Sequence, residues 1–208
     1  MSTRKIDQEK AEREGHVSRR PARDRIFETA REMFYQHGIR AVGVDAIAAE
    51  ADATKMTLYR NFPSKDELVA EVLREQVREY WEWWDEIMAP HAGNPRAQLE
   101  AFFDAFETKA CIDDVYGCPL ANAAVELHEL DHPARMVSVE HKREVHRRLI
   151  DLARQAGAPD DDLADGLMLL MEGAYVARLT LGGEGPVRSV ARAARQLLDQ
   201  NLKHRKRK

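Results

Sequence analysis

From Leu68 to Met88 apolar side chains recur every three or four residues (Leu68, Val69, Val72, Leu73, Val77, Tyr80, Trp84, Ile87, Met88), with no proline or glycine before Pro90. That period predicts one long amphipathic helix. Ser64, just after Pro63, is placed to cap its start. The chain has only 11 glycines and 8 prolines in 208 residues and little strand-like alternation. An all-α architecture follows, with helices on both sides of the long one.

Upstream, Ile26, Ala30, Met33 and Phe34 predict a helix from Ala22 that closes at His37 and Gly38. Val44, Ile47, Ala48 and Ala51 predict a second, short helix. After Asp52 and Ala53 comes a third, N-capped by Thr54 and ended by Pro63. Downstream, Asn94 and Pro95 open a helix carrying Leu99, Phe102, Phe103 and Phe106. Further helices are expected at Pro119 to Glu129, Pro133 to Ala156, Asp161 to Leu181 and Pro186 to Lys203. Residues 1–20 are polar, alternately charged and without an apolar stripe, and read as a disordered arm. The resulting division is an arm (1–20), a three-helix head (21–66), a helical body (67–203) and a basic tail (204–208).

Charge is unevenly spread along this plan. Residues 1–65 carry a net +3, residues 66–202 a net −12 and residues 203–208 a net +5. A polyanion would meet the head and the tail rather than the acidic body. Two cysteines, Cys111 and Cys118, are too few for a disulfide scaffold and suit a reducing cytoplasm. The longest apolar run, "LMLLM", is too short to span a membrane, and the N-terminal residues lack an apolar signal core. A cytoplasmic protein without a membrane partner is expected.

The second and third helices have the layout of a helix-turn-helix, in which a small residue sits at the crossing, a turn residue four later and a large apolar anchor six beyond. Ala48, Asp52 and Leu58 fall at those positions. Aspartate tolerates the left-handed turn conformation that glycine usually supplies. Burying Leu58 and Phe62 turns Met56, Thr57 and Arg60 outward and leaves Lys55 and Tyr59 on the flank, residue types that reach base edges and phosphates from a major-groove helix. The segment "GIRAVGVDAIAAEADATKMTLYRNFPSKDELV" resembles the DNA-binding domain of the TetR family of bacterial transcriptional repressors, with its threonine-leucine-tyrosine turn, following phenylalanine and lysine at the start of the fourth helix. The likeness covers about residues 22–72, and the remaining helix layout is similar too. It implies DNA binding by Thr54, Lys55, Met56, Thr57, Tyr59, Arg60, Asn61 and Lys65. Lys55, Met56 and Thr57 would read bases, and Tyr59, Asn61 and Lys65 would hold phosphates. Three positions depart from the family pattern: Asn61 stands for a common histidine, Asp52 for the turn glycine, and "AVGV" lacks the usual hydroxyl cap, so Gly43 must start the second helix.

The resemblance also implies a small-molecule effector and a homodimer, with no cofactor or metal. Candidate ligand-binding residues are Trp84, Phe102, Phe106, Leu120, Leu127, Met171 and Tyr175, aromatic and methionine side chains suited to adaptable apolar binding. Glu172 and Arg178 suit either ligand orientation or an ion pair at the surface or dimer face. A dimer face is expected from Leu167, Leu170, Ala174 and Ala177 on one late helix and Val187, Val190, Ala194 and Leu198 on the next, paired about a twofold as a four-helix bundle over a palindromic operator. The implied function is a ligand-responsive regulator, a repressor released from DNA by a small, largely apolar molecule. One alternative is a thiol-redox regulator using Cys118, which precedes Pro119 at a helix start where a thiolate is stabilised. A helical enzyme or interaction protein is the different-class alternative. The glycine-rich phosphate loop and the spaced acid and base that such an enzyme needs are missing. His128 and His132 have the i, i+4 spacing of metal ligands, but Pro133 places His132 outside a helix.

Overall fold

The structure, a computed structural model, describes residues 20–112 and 116–202. Apart from Arg20, the expected arm lies outside the described residues, as do Lys203 and the basic tail. The described residues form α-helices and two short 3-10 turns, with no strand. In chain order the helices are α1 (Ala22–His37), α2 (Val44–Glu50), α3 (Lys55–Asn61), α4 (Lys65–Met88), α5 (Pro95–Ala110), α6 (Pro119–Glu126), α7 (Pro133–Ala156), α8 (Asp162–Leu181) and α9 (Val190–Leu202). The 3-10 turns are Ala89–His91 and Pro186–Ser189.

Local chemistry sets most of the boundaries. The hydroxyls of Thr54 and Ser64 accept from the amides of Thr57 and Glu67 at 3.1 and 3.0 Å, and the Asn94 side chain accepts from Ala97 at 3.2 Å. These bonds satisfy orphan amides at the starts of α3, α4 and α5. Proline opens α5, α6 and α7, where its missing N–H has no intrahelical partner to lose. Two ends differ from the sequence expectation. The helix expected to run to Glu129 stops at Glu126, where Leu127 turns extended and is buried against the head. The last helix begins as a 3-10 turn at Pro186 and becomes α-helical at Val190.

The long helix α4 joins the two ends of the molecule, packing on α1 at its start and on α7 and α5 further along. An N-terminal core gathers Ile26, Ala30, Ile47, Leu58, Phe62, Leu68 and Val72, and takes in Leu120, Ala123, Leu127 and Ala134 from α6, its exit and the first turn of α7. A second core holds Trp84, Phe102, Phe103, Phe106, Leu149, Leu163, Leu167 and Leu198.

This packing puts most of the residues expected at the dimer face inside a single chain. Leu167, Ala174, Val187, Val190, Ala194 and Leu198 are buried within a single chain, and Leu170 and Ala177 are half-buried. The reason is that α9 lays its apolar stripe on α5 and α8 of its own chain. The apolar side chains that α8 turns outward are Leu169, Val176, Leu179 and Leu181.

Candidate nucleic-acid interface and effector cavity

In the head, Ala48 is buried where the two helices cross, and its carbonyl accepts from the Ala53 amide at 2.9 Å. Asp52 takes the left-handed conformation, φ +47°, and Leu58 is fully buried beneath α3. Gly43 starts α2 in an extended conformation without a side-chain cap. The turn has a brace that sequence reasoning missed. The Arg25 guanidinium donates to the carbonyls of Ala51 at 3.0 Å and Asp52 at 2.7 Å, and to Arg20 at 2.8 Å.

With Leu58 turned inward, α3 presents Lys55, Met56, Tyr59 and Arg60 to solvent, and Met56 is 79% exposed. So exposed a methionine beside two cations gains nothing from the fold itself. Thr57 is half-buried, 2.9 Å from the Thr54 hydroxyl. Lys55 pairs with Asp45 of α2 at 3.0 Å, an exposed contact that a phosphate or base can displace at small cost. Asn61 donates to the Thr57 carbonyl at 2.8 Å. Lys65 donates to the Ile39 carbonyl at 2.6 Å, and burial lowers its pKa below the ordinary lysine value. Lys65 therefore helps hold the head together, Asn61 closes the last turn of its own helix, and each keeps further N–H donors for an outside acceptor.

A cavity of about 400 Å³ opens between head and body. It is lined by Tyr35 of α1, Gln76 and Tyr80 of α4, the 117–120 segment, His141, Lys142 and Val145 of α7, and Met171 and Tyr175 of α8. Of the residues expected to bind a ligand, Leu120, Met171 and Tyr175 line it. Trp84, Phe102 and Phe106 do not; they stack behind its wall, with ring centroids 4.7 Å apart for Trp84 and Phe102 and 5.0 Å for Phe106 and Tyr175. Leu127 packs into the N-terminal core instead. Large apolar side chains on inward stripes fill space, so they make the core and leave the hollow to others.

The sequence-based set also omitted the polar lining. Gln76 Oε1, the Tyr80 hydroxyl and His141 Nδ1 are buried without a hydrogen-bond partner. A signal for them existed. Gln76 and Tyr80 continue the buried stripe Val69, Leu73 toward Trp84, and Ser138 and His141 continue the buried stripe Ala134 toward Val145 and Leu149. A polar residue on an inward stripe needs a partner.

Arg31 and Glu79 join α1 to α4 beside the cavity in a bidentate pair, at 2.7 and 2.6 Å. Lys142 pairs with Glu172 of α8. Burial opposes the Lys142 charge, but the Cys118 sulfur and the Glu172 carboxylate outweigh it and raise the pKa. Arg178 reaches the Ile112 carbonyl at 3.3 Å. Cys118 is the buried N-cap of α6 on the cavity wall. His128 lies outside any helix and His132 caps α7 by accepting from the Ala134 amide, so the two do not share a helical face. Among the described residues no group of side chains is arranged to hold a metal, and no helix is long and apolar enough to cross a membrane.

Residues 26–72 match the family model described as bacterial regulatory proteins, tetR family. The chain is 28% identical over 196 residues to the HTH-type transcriptional repressor SCO4008 of Streptomyces coelicolor, covering 85% of this chain and 94% of that protein. Its fold is similar to that of SCO4454, a TetR-family transcriptional regulator from the same species, with a TM-score of 0.82 and 26% identity over 88% of this chain and 96% of the other. A putative regulator, sav143, from Streptomyces avermitilis has a TM-score of 0.73 and 29% identity, covering 88% and 98% of the two chains. TetR-family proteins are regulators that bind DNA and act as dimers, not enzymes. The family match over the head and the likeness along most of the chain both support the TetR family of bacterial transcriptional regulators as the relatives of this chain.

Proposed function

We propose that the protein is a homodimeric repressor that occupies a palindromic operator through α3 and leaves it when a small molecule fills the cavity between head and body. The observation that carries the reading is the outward face of α3. Lys55, Met56, Tyr59 and Arg60 are all exposed on a helix whose roll is fixed by the fully buried Leu58. Met56 and Lys55 read bases; Tyr59, Arg60, Asn61 and Lys65 hold the backbone. The dimer uses the outward face of α8, where Leu169, Val176, Leu179 and Leu181 meet their twofold mates, a patch that a lone chain would leave in water.

A gel shift on the DNA upstream of the gene, run as a salt series, tests the reading. Affinity falls steeply with salt, each neutralised phosphate adding about 0.9 to the logarithmic slope. Arg60→Ala weakens binding on all duplexes, whereas Met56→Ala and Lys55→Ala change which duplexes are preferred. Wild-type binding by both classes of variant would show that α3 is not the reading helix.

A further inference from the structure

Three residues of the cavity lining, Gln76, Tyr80 and His141, each keep a buried polar atom that the protein leaves without a partner: Gln76 Oε1, the Tyr80 hydroxyl and His141 Nδ1. Buried polar groups are rarely left so, which marks these three lining residues as candidates to contact an occupant. We propose that the cavity takes an uncharged molecule with a flat apolar body and a hydroxyl or carbonyl group set against Gln76, Tyr80 and His141; the proposal rests on the reading of this cavity as the effector site.

Charge decides against an ionised ligand. The cations and anions beside the buried part of the cavity are already spent on each other, Arg31 with Glu79 and Lys142 with Glu172. Lys109, Glu28 and Glu32 also line the cavity and are exposed to solvent on one side, and Lys109 sits over the Trp83 ring at 4.7 Å, where burial lowers its pKa. The unpartnered groups themselves are neutral near pH 7. Burial lowers the His141 pKa to about 4 and raises that of Tyr80 well above the ordinary phenol value. A carboxylate or ammonium pushed in beside these neutral groups would lose its hydration and find the nearest buried counter-charges already paired. The remaining wall of Tyr35, Leu120, Val145, Met171 and Tyr175 offers ring faces and aliphatic surface to a flat body. The volume lies within the range of small-molecule sites.

Titration calorimetry of the full chain with four probes of one shape tests this: biphenyl, 4-phenylphenol, biphenyl-4-carboxylate and the ammonium form of 4-aminomethylbiphenyl. The phenol is expected to bind about fivefold tighter than biphenyl, the worth of one added hydrogen bond. Both charged probes are expected to bind at least about tenfold more weakly than the phenol. In Tyr80→Phe and Gln76→Leu the phenol falls toward biphenyl while biphenyl itself binds as before, which separates a lost hydrogen bond from a damaged fold. Gln76→Glu shifts the preference toward the ammonium probe. A charged probe that matches the phenol, a phenol advantage that survives both variants, or binding by none of the probes overturns the proposal. Operator affinity is measured in parallel. Selective phenol binding that leaves operator affinity unchanged sinks the effector reading and keeps the ligand class, whereas release by the carboxylate probe without that selectivity does the reverse.

Discussion

Asp52 is the one described non-glycine residue with positive φ, and the turn between α2 and α3 depends on it. Its side chain tolerates the left-handed region better than alanine's does. Asp52→Ala is expected to lower stability by about 1 kcal/mol in urea denaturation, and Asp52→Gly to leave it nearly unchanged, since relief of strain offsets the added freedom of the unfolded chain. Arg25→Met, which keeps the stem but loses the bonds to Ala51 and Asp52, should lower stability by about 2 kcal/mol and weaken operator binding, because the turn then no longer aims α3. His141 belongs to this scale too. Its ring lies 4.6 Å from that of Tyr80 and 5.3 Å from that of Trp81. Burial first, then the Lys142 ammonium, lowers its pKa from 6.5 to about 4, with Glu144 opposing. Between those values the unfolded chain binds a proton that the folded chain refuses. The stability of the folded state therefore falls as pH drops from 6.5 toward 4, by up to about 3 kcal/mol, and this group has no effect above that window. His141→Phe keeps the ring contacts and should flatten that part of the stability curve measured from pH 7 to pH 5. The turn aspartate was legible in the sequence because local geometry demands a particular residue there. The Arg25 brace was not, since it joins residues 26 and 27 positions apart.

At the scale of elements, prolines and capping side chains made the helix starts legible almost to the residue. They act on their immediate neighbours, so no tertiary knowledge is needed to read them. Which stripe of α8 the chain buries was not legible, for a different reason. α8 is apolar on nearly every side, with Leu163 and Leu167 facing in and Leu169 and Val176 facing out, so its pattern names two apolar stripes and does not say which one the chain keeps for itself. The exposed stripe makes the prediction specific. Val176→Glu places two carboxylates against each other across the proposed twofold and should give monomers by sedimentation velocity, with helical content unchanged. Leu167→Glu should instead unfold the chain, because it buries an unpaired charge. The cavity was half legible. Tyr175 and Met171 were found by type, but Phe106 supports the wall from behind through its 5.0 Å contact with Tyr175. Phe106→Ala should cost about 3–5 kcal/mol of stability, as for any large core aromatic, and alter effector affinity only through Tyr175.

Across the whole molecule, α4 carries the connection, its 24 residues spanning about 36 Å from the Ser64 cap past Trp84 to Met88. It does not act alone. The Tyr35 hydroxyl of the head donates to the Gly117 carbonyl at 3.2 Å and accepts from the Tyr116 amide at 3.0 Å. Glu126 of α6 accepts from the Arg40 amide at 3.0 Å. An effector that moves the 117–120 segment would thus pull the head at two points beside α4, and the coupling between effector and operator should be about 1–3 kcal/mol in both directions. Glu126→Ala cuts one of these ties. It is expected to shrink the effector-induced change in operator affinity, measured by gel shift with and without effector, while the head stays folded. The N-terminal core has a consequence for anyone who would rebuild this protein. Because Leu120, Ala123, Leu127 and Ala134 complete the packing of a head whose own sequence ends some fifty residues earlier, transplanting residues 21–66 onto a foreign sensor would leave that core open along one side. A working hybrid has to cut elsewhere: the transplanted unit must include α6 and the first turn of α7, so the recombination points for exchanging specificities in this protein are two separated stretches of chain rather than one.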